Sequence, residues 1–159
     1  RYEAAQSLSS AVPWPRDATE RETALFRHSR IVCERVLAQG ATAGHSFTGE
    51  TGWAHTARCA LDGGGEAEVV LGWSRDPRTA ARWDGGEALG EIAPGGALGA
   101  RLIAAPPLAG LEPSARPDPR DVSNNHLAYA VQWFFFAITA AVVYLLALRK
   151  RLAGERDGG

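Results

Sequence analysis

Residues 53–73 read WAHTARCAL, then DGGG, then EAEVVLGW, and this stretch decides the fold. His55, Ala57, Cys59 and Leu61 alternate along the first run, and Val69, Leu71 and Trp73 along the second, the period of two expected of strands with one buried face. Between them, Asp62-Gly63-Gly64-Gly65 supplies residues that tolerate a reversing backbone, so the runs 53–61 and 68–73 fold back on each other as an antiparallel hairpin.

Working outward, 31–37, 88–93 and 97–104 are further short runs of the same kind, with glycine pairs at 85–86 and 95–96 in turns. The fold class that follows is mainly β, a small antiparallel domain over residues 27–105 that is either barrel-like or an open sheet. Ahead of it, residues 1–26 form a helical lead-in. The run AAQSL is followed by the breaker Pro13-Trp14-Pro15, and a capping-box pattern at Thr19 and Glu22 predicts a short helix ending near Phe26. Behind it, residues 106–126 hold PPLAGLEPSARPDP, whose five prolines exclude a helix or a central strand and predict a linker or strap.

The next segment, 127–148, is LAYAVQWFFFAITAAVVYLLAL, 22 residues without a charge. As an α-helix it would be about 33 Å long, enough to cross a hydrocarbon core of about 30 Å. Tyr129 and Trp133 lie near one end and Tyr144 near the other, where amphipathic rings favour the headgroup boundary. Arg149, Lys150 and Arg151 open the tail, 149–159, whereas Arg116 and Arg120 before the span are offset by Asp118 and Asp121. The positive-inside rule then places the C-terminus in the cytoplasm and the β domain in the periplasm or intermembrane space, beside an inner membrane. In such an oxidising compartment Cys33 and Cys59 either form a disulfide or remain two buried thiols. The chain opens on Arg1 with no apolar stretch before it, and a first transmembrane helix or signal is expected upstream.

Composition narrows the function classes. With 17 basic and 18 acidic residues and a net charge of −1, the chain has no field that would gather nucleic acid. None of its glycine clusters has the lysine and strand–helix context of a phosphate-binding loop, so no nucleotide site is expected. The histidines, His28, His45, His55 and His126, show no spacing of a structural zinc site, and the cysteines lack a Cys-x-x-Cys arrangement. Nor does any serine sit in a strand-turn-helix elbow, and the expectation is a protein that is not an enzyme.

His126 stands apart by position, since Ser123-Asn124-Asn125-His126 leads directly into the apolar span. Two readings are open at this point. Asn124, Asn125 and His126 cap the helix and anchor it among headgroups, or the imidazole ligates haem iron where an apolar porphyrin can pass between lipid and protein, with Tyr129, Trp133 and Phe134 lining the site.

The run NNHLAYAVQW at 124–133, with the aromatic span and basic stop that follow, resembles the C-terminal signature of the Surfeit locus family of cytochrome c oxidase assembly factors. The segment Val69-Val70-Leu71-Gly72-Trp73, with Asp76-Pro77 after it, is similar to that family's strand ending in Gly-Trp and a turn, and Gly52-Trp53 to the segment before it. The resemblance covers roughly residues 27–151. It implies a barrel-like domain between two transmembrane helices, a role in assisting delivery of haem a to subunit I of a haem-copper oxidase, and subunit I and haem a synthase as partners. By the same resemblance His126 would be the haem ligand, with Tyr129 and Trp133 in apolar contact and Asn124 and Asn125 fixing the start of the helix. One departure is that the family's arginine before Gly-Trp is replaced by Leu71. The competing expectation is a structural accessory subunit of a respiratory or photosynthetic membrane complex, without a cofactor of its own.

Overall fold

A computed structural model describes residues 10–121 and 126–156. The chain divides into two compact units, Arg1–Val122 and Ser123–Gly159. The first is mainly β. A short helix α1 (Ala18–Ala24) leads into strands β1 (His28–His45), β2 (Thr51–Leu61), β3 (Glu66–Ser74), β4 (Gly86–Pro94) and β5 (Ala100–Ala104), followed by a 3-10 turn at Pro119–Asp121. The second unit holds one helix, α2 (His126–Arg156).

Helix α1 corrects the predicted cap. Asp17, not Thr19, is the N-cap: its carboxylate accepts from the Glu20 amide at 2.8 Å, while the Glu20 carboxylate accepts from the Arg16 amide at 2.7 Å. A capping aspartate satisfies a free backbone donor and its charge suits the positive end of the helix, which leaves Thr19 and Glu22 as interior positions. After the helix, Phe26 takes a left-handed φ of 62°, a conformation usual just past a helix C-terminus but costly for a residue with a side chain. Its fully buried ring and its amide hydrogen bond to the Ile92 carbonyl at 2.7 Å hold it there. The AAQSL run lies outside the described residues.

Strand β1 is much longer than the predicted 31–37. At about 3.3 Å per residue, a straight strand of its 18 residues would reach about 60 Å. Instead it serves two partners, with His28 to Cys33 paired antiparallel to β4 and Cys33 to His45 paired antiparallel to β2. Register shifts between Cys33 and Arg35 and between Val36 and Ala38 bend it where the partners change, as bulges do. A disulfide between Cys33 and Cys59, with Cα atoms 5.4 Å apart, joins β1 to β2 at that bend.

The neighbour order is β1-β2-β3-β5-β4, and β4 returns to β1. Every pairing is antiparallel except β3 with β5, which run parallel through Val69↔Leu102 and Val70↔Ile103. The expected all-antiparallel sheet is thus corrected at one junction. Strand β5 also starts later than predicted, because residues 95–99 form a turn closed by the Gly95 amide on the Gly99 carbonyl.

The core is built from alternate residues: Val69 and Leu71 of β3, Ala57 and Cys59 of β2, Ile92 of β4 and Leu102 of β5. Trp73 is the largest fully buried side chain. Its ring lies against Gly52, where an added Cβ would fall 2.4 Å from a ring carbon. Gly72 beside it has a different neighbour, since a Cβ there would meet Leu111 Cβ at 2.6 Å and the Glu112 carbonyl at 2.7 Å. Leu111 and Glu112 belong to the Pro-rich strap, which packs on the β unit rather than trailing from it. Leu108 donates to the Leu71 carbonyl (2.8 Å), Trp73 and Glu112 exchange two backbone hydrogen bonds (2.7 and 3.1 Å), and Ala115 donates to the His45 carbonyl (2.9 Å). Prolines lack an N–H, so the strap's non-proline residues supply its donors.

Candidate functional site

Helix α2 forms because residues 127–153 contain neither glycine nor proline and are rich in alanine and leucine. Its 31 residues would span about 46 Å, and the stretch Tyr129–Gly154 is apolar and long enough to cross a membrane. The helix carries no polar stripe. Large apolar side chains stand exposed on every side: Leu127 at 75%, Phe134 at 71% and Tyr144 at 67%. A helix apolar all round is stable only when something apolar surrounds it. Thr139 hides its hydroxyl by donating to the Phe135 carbonyl at 2.8 Å, the usual solution for a polar side chain on such a helix.

His126 is the first residue of α2. At 100° per residue, positions 126, 129 and 133 fall within an arc of about 60°, so the helix brings the three predicted site positions onto one face. Tyr129 and Trp133 are each 64% exposed. Trp133 meets Phe136 edge to face, ring centroids 6.0 Å apart and planes at 80°. Phe134 points about 100° away from Trp133. Asn124 and Asn125, predicted to fix the start of the helix, lie outside the described residues. Haem a makes two demands, an apolar surface and an axial nitrogen. Tyr129 and Trp133 offer exposed ring surface of the first kind, and residue 126 is a histidine, the residue type of the second.

The predicted Cys33 and Cys59 lie in the β unit, where both are buried, as structural sulfurs rather than as part of this face.

Two polar groupings in the β unit escaped sequence reasoning. His55 is 5% exposed, and its Nε2 lies 2.7 Å from Ser74 Oγ. Ser74 gives its one proton to the Asp76 carbonyl at 2.8 Å, so it accepts from His55 Nε2–H, which fixes the tautomer. Burial lowers the His55 pKa below the usual histidine value, because desolvation disfavours the charged ring. The alternation at 55–61 put His55 on the buried face, but only the β2–β3 register brings Ser74 to it. The second grouping is a cleft of about 350 Å³ on the β unit, lined by Ala54, Val70, Arg101, Ile103, Ser114 and Arg116 among others. Its sequence signal was an arginine alternating with apolar residues in ARLIA.

Among the described residues, no three His, Cys, Asp or Glu side chains converge on a point. Comparison of the chain with known protein families, curated proteins and solved structures returns no match.

Proposed function

We propose that this protein is a membrane-anchored assembly factor for a haem-copper oxidase, a chaperone-like partner of subunit I and haem a synthase that assists delivery of haem a. The observation that carries the reading is the face of α2, where an imidazole position at the head of an apolar helix is followed by exposed Tyr129 and Trp133. Haem a would supply an iron centre that accepts one axial nitrogen, with His126 as its ligand and the two aromatic side chains against the macrocycle. In this reading the β unit is a small closed barrel facing the periplasm or intermembrane space, and the basic tail lies in the cytoplasm. Further support is that Trp73, which carries part of the family resemblance, packs its ring against Gly52, while the adjacent Gly72 admits the strap at Leu111 and Glu112. No catalytic step is assigned to the chain.

The test is haem a retention by the purified, membrane-embedded protein, followed by absorption spectroscopy in wild type and His126→Ala. Binding by the wild type and its loss in a folded variant is the expected result. If neither form binds haem a while both co-purify with a membrane complex, the carrier reading fails. The second reading, a structural accessory subunit, rests on the exposure of α2 on all its sides, which suits a packing surface for partner helices. It predicts that His126→Ala is silent.

A further inference from the structure

We propose that the cleft between the strap and the outer face of β5 is a binding site for a carboxylate carried on a compact apolar body. In β5, Ala100, Leu102 and Ala104 are buried in the core, which turns Arg101 and Ile103 to the opposite face of the strand. Ile103 pairs in register with Val70 of β3, and Arg101 with Ala93 of β4. These residues line the cleft of about 350 Å³ together with strap residues 114–118.

Two buried atoms in this lining have no hydrogen-bond partner within the protein, Arg101 Nε and Ser114 Oγ. Ser114 as a whole is only 8% exposed. A buried donor left unmet is costly, so two in one cleft are a demand for an acceptor. Both can donate, and a carboxylate offers two oxygens to receive them, with a charge that suits the guanidinium. Arg116, exposed and stacked 5.7 Å above the Phe47 ring, adds a second positive charge at the rim. The opposing carboxylate is Asp118, which is already engaged by Arg120 through its backbone amide (2.9 Å), Nε (3.1 Å) and Nη2 (2.8 Å).

The remaining walls are small or apolar residues apart from His45, and a second cavity of about 270 Å³ adjoins the first through Ile103, Ser114, Arg116 and Pro117. That annex is lined by the apolar Phe47, Pro106, Pro107 and Pro113 together with His28, Glu91 and Arg116, so hydrocarbon seated there meets a mainly apolar surface. Cavities of this size are in the range that holds small ligands. The site lies wholly in the β unit and stands independently of the haem reading.

Octanoate is the probe, titrated calorimetrically into the full chain in lipid nanodiscs, with empty nanodiscs as the baseline and octanol as the uncharged control. Saturable binding of octanoate but not octanol is expected, weakened at least about tenfold by Arg101→Gln and about threefold by Ser114→Ala, with Arg78→Gln unchanged. No saturable heat, octanol binding as well as octanoate, or equal affinity in Arg101→Gln would each overturn the site. Amide shifts of the wild type give an answer that does not depend on how the variants fold. Shifts at 101–103 and 114–116 are expected, and shifts confined to 127–148 would sink the proposal.

Discussion

The β unit and helix α2 solve the same physical problem in opposite ways. In the β unit, apolar side chains such as Leu71, Trp73, Ile92 and Leu102 are almost wholly withdrawn from solvent by their own chain. In α2, side chains of the same chemistry, Phe134, Ile138, Val143 and Leu145, are more than half exposed. Since burial of apolar area is the main favourable term in folding, the first unit carries its stabilising energy inside itself, and the second obtains it only from its surroundings. One chain therefore holds a part whose stability is intrinsic and a part whose stability is borrowed, and substitutions should separate them.

The largest expected effect is on the intrinsic side. Trp73→Ala removes a fully buried ring that Gly52 is shaped to receive, and should destabilise the β unit by about 4 kcal/mol. Denaturant melts read by near-ultraviolet dichroism would show this, while alkaline extraction should still find the chain in the membrane. Loss of membrane association in that variant would break the comparison. The converse substitution, Ile138→Arg, places a charge near the middle of α2 and should disfavour insertion by about 3 kcal/mol. Alkaline extraction should release this variant while the melt of the β unit stays put, and a shifted melt would mean that the units are not energetically separate.

Loss of the disulfide should cost about as much as that charge, but only within the β unit. Cys33 and Cys59 are 26 residues apart, and opening a loop of that size in the chain-entropy model costs about 3.5 kcal/mol. The Cys33→Ser, Cys59→Ser double variant should show this as a lower denaturation midpoint, and an unchanged midpoint in wild type under reductant would contradict it. The smallest effect is a pH dependence. His55 has a lowered pKa in the folded state, so below the unfolded value of about 6.5 the unfolded chain binds more protons than the folded one. The stabilising contribution is therefore complete above that value and declines as pH falls toward the folded pKa. His55→Gln should flatten this part of the stability–pH curve relative to wild type, and parallel curves would show that His55 does not supply it.

Much of the fold was legible in the sequence. The 53–73 hairpin is formed, with Gly63, Gly64 and Gly65 all at positive φ in its turn, and the apolar span is a helix. What escaped notice had a physical cause in each case. The second half of β1, AQGATAG at 38–44, is made of small residues with little strand preference, and it is extended because β2 pairs with it along its length. The parallel β3–β5 pairing depends on order in space, which a one-dimensional pattern does not encode. For the candidate site, residue type and the helical period suffice to put positions 126, 129 and 133 on one face. The His55–Ser74 contact and the Arg101–Ser114 cleft were hidden, because each joins residues from separate elements.

The double duty of β1 bears on the order in which the chain is made. His28 opens β1, yet its partner Glu91 follows it by 63 positions. The β1–β2 and β2–β3 turns join near neighbours and can close early, whereas the front of β1 must wait for β4, and β3 must wait for the strap that meets Trp73 at Glu112. During that interval the newborn sheet has two open edges, at Ile31 and at Leu71. Its most vulnerable moment toward aggregation is therefore set by translation time across residues 74 to 112, and a pause there would lengthen it.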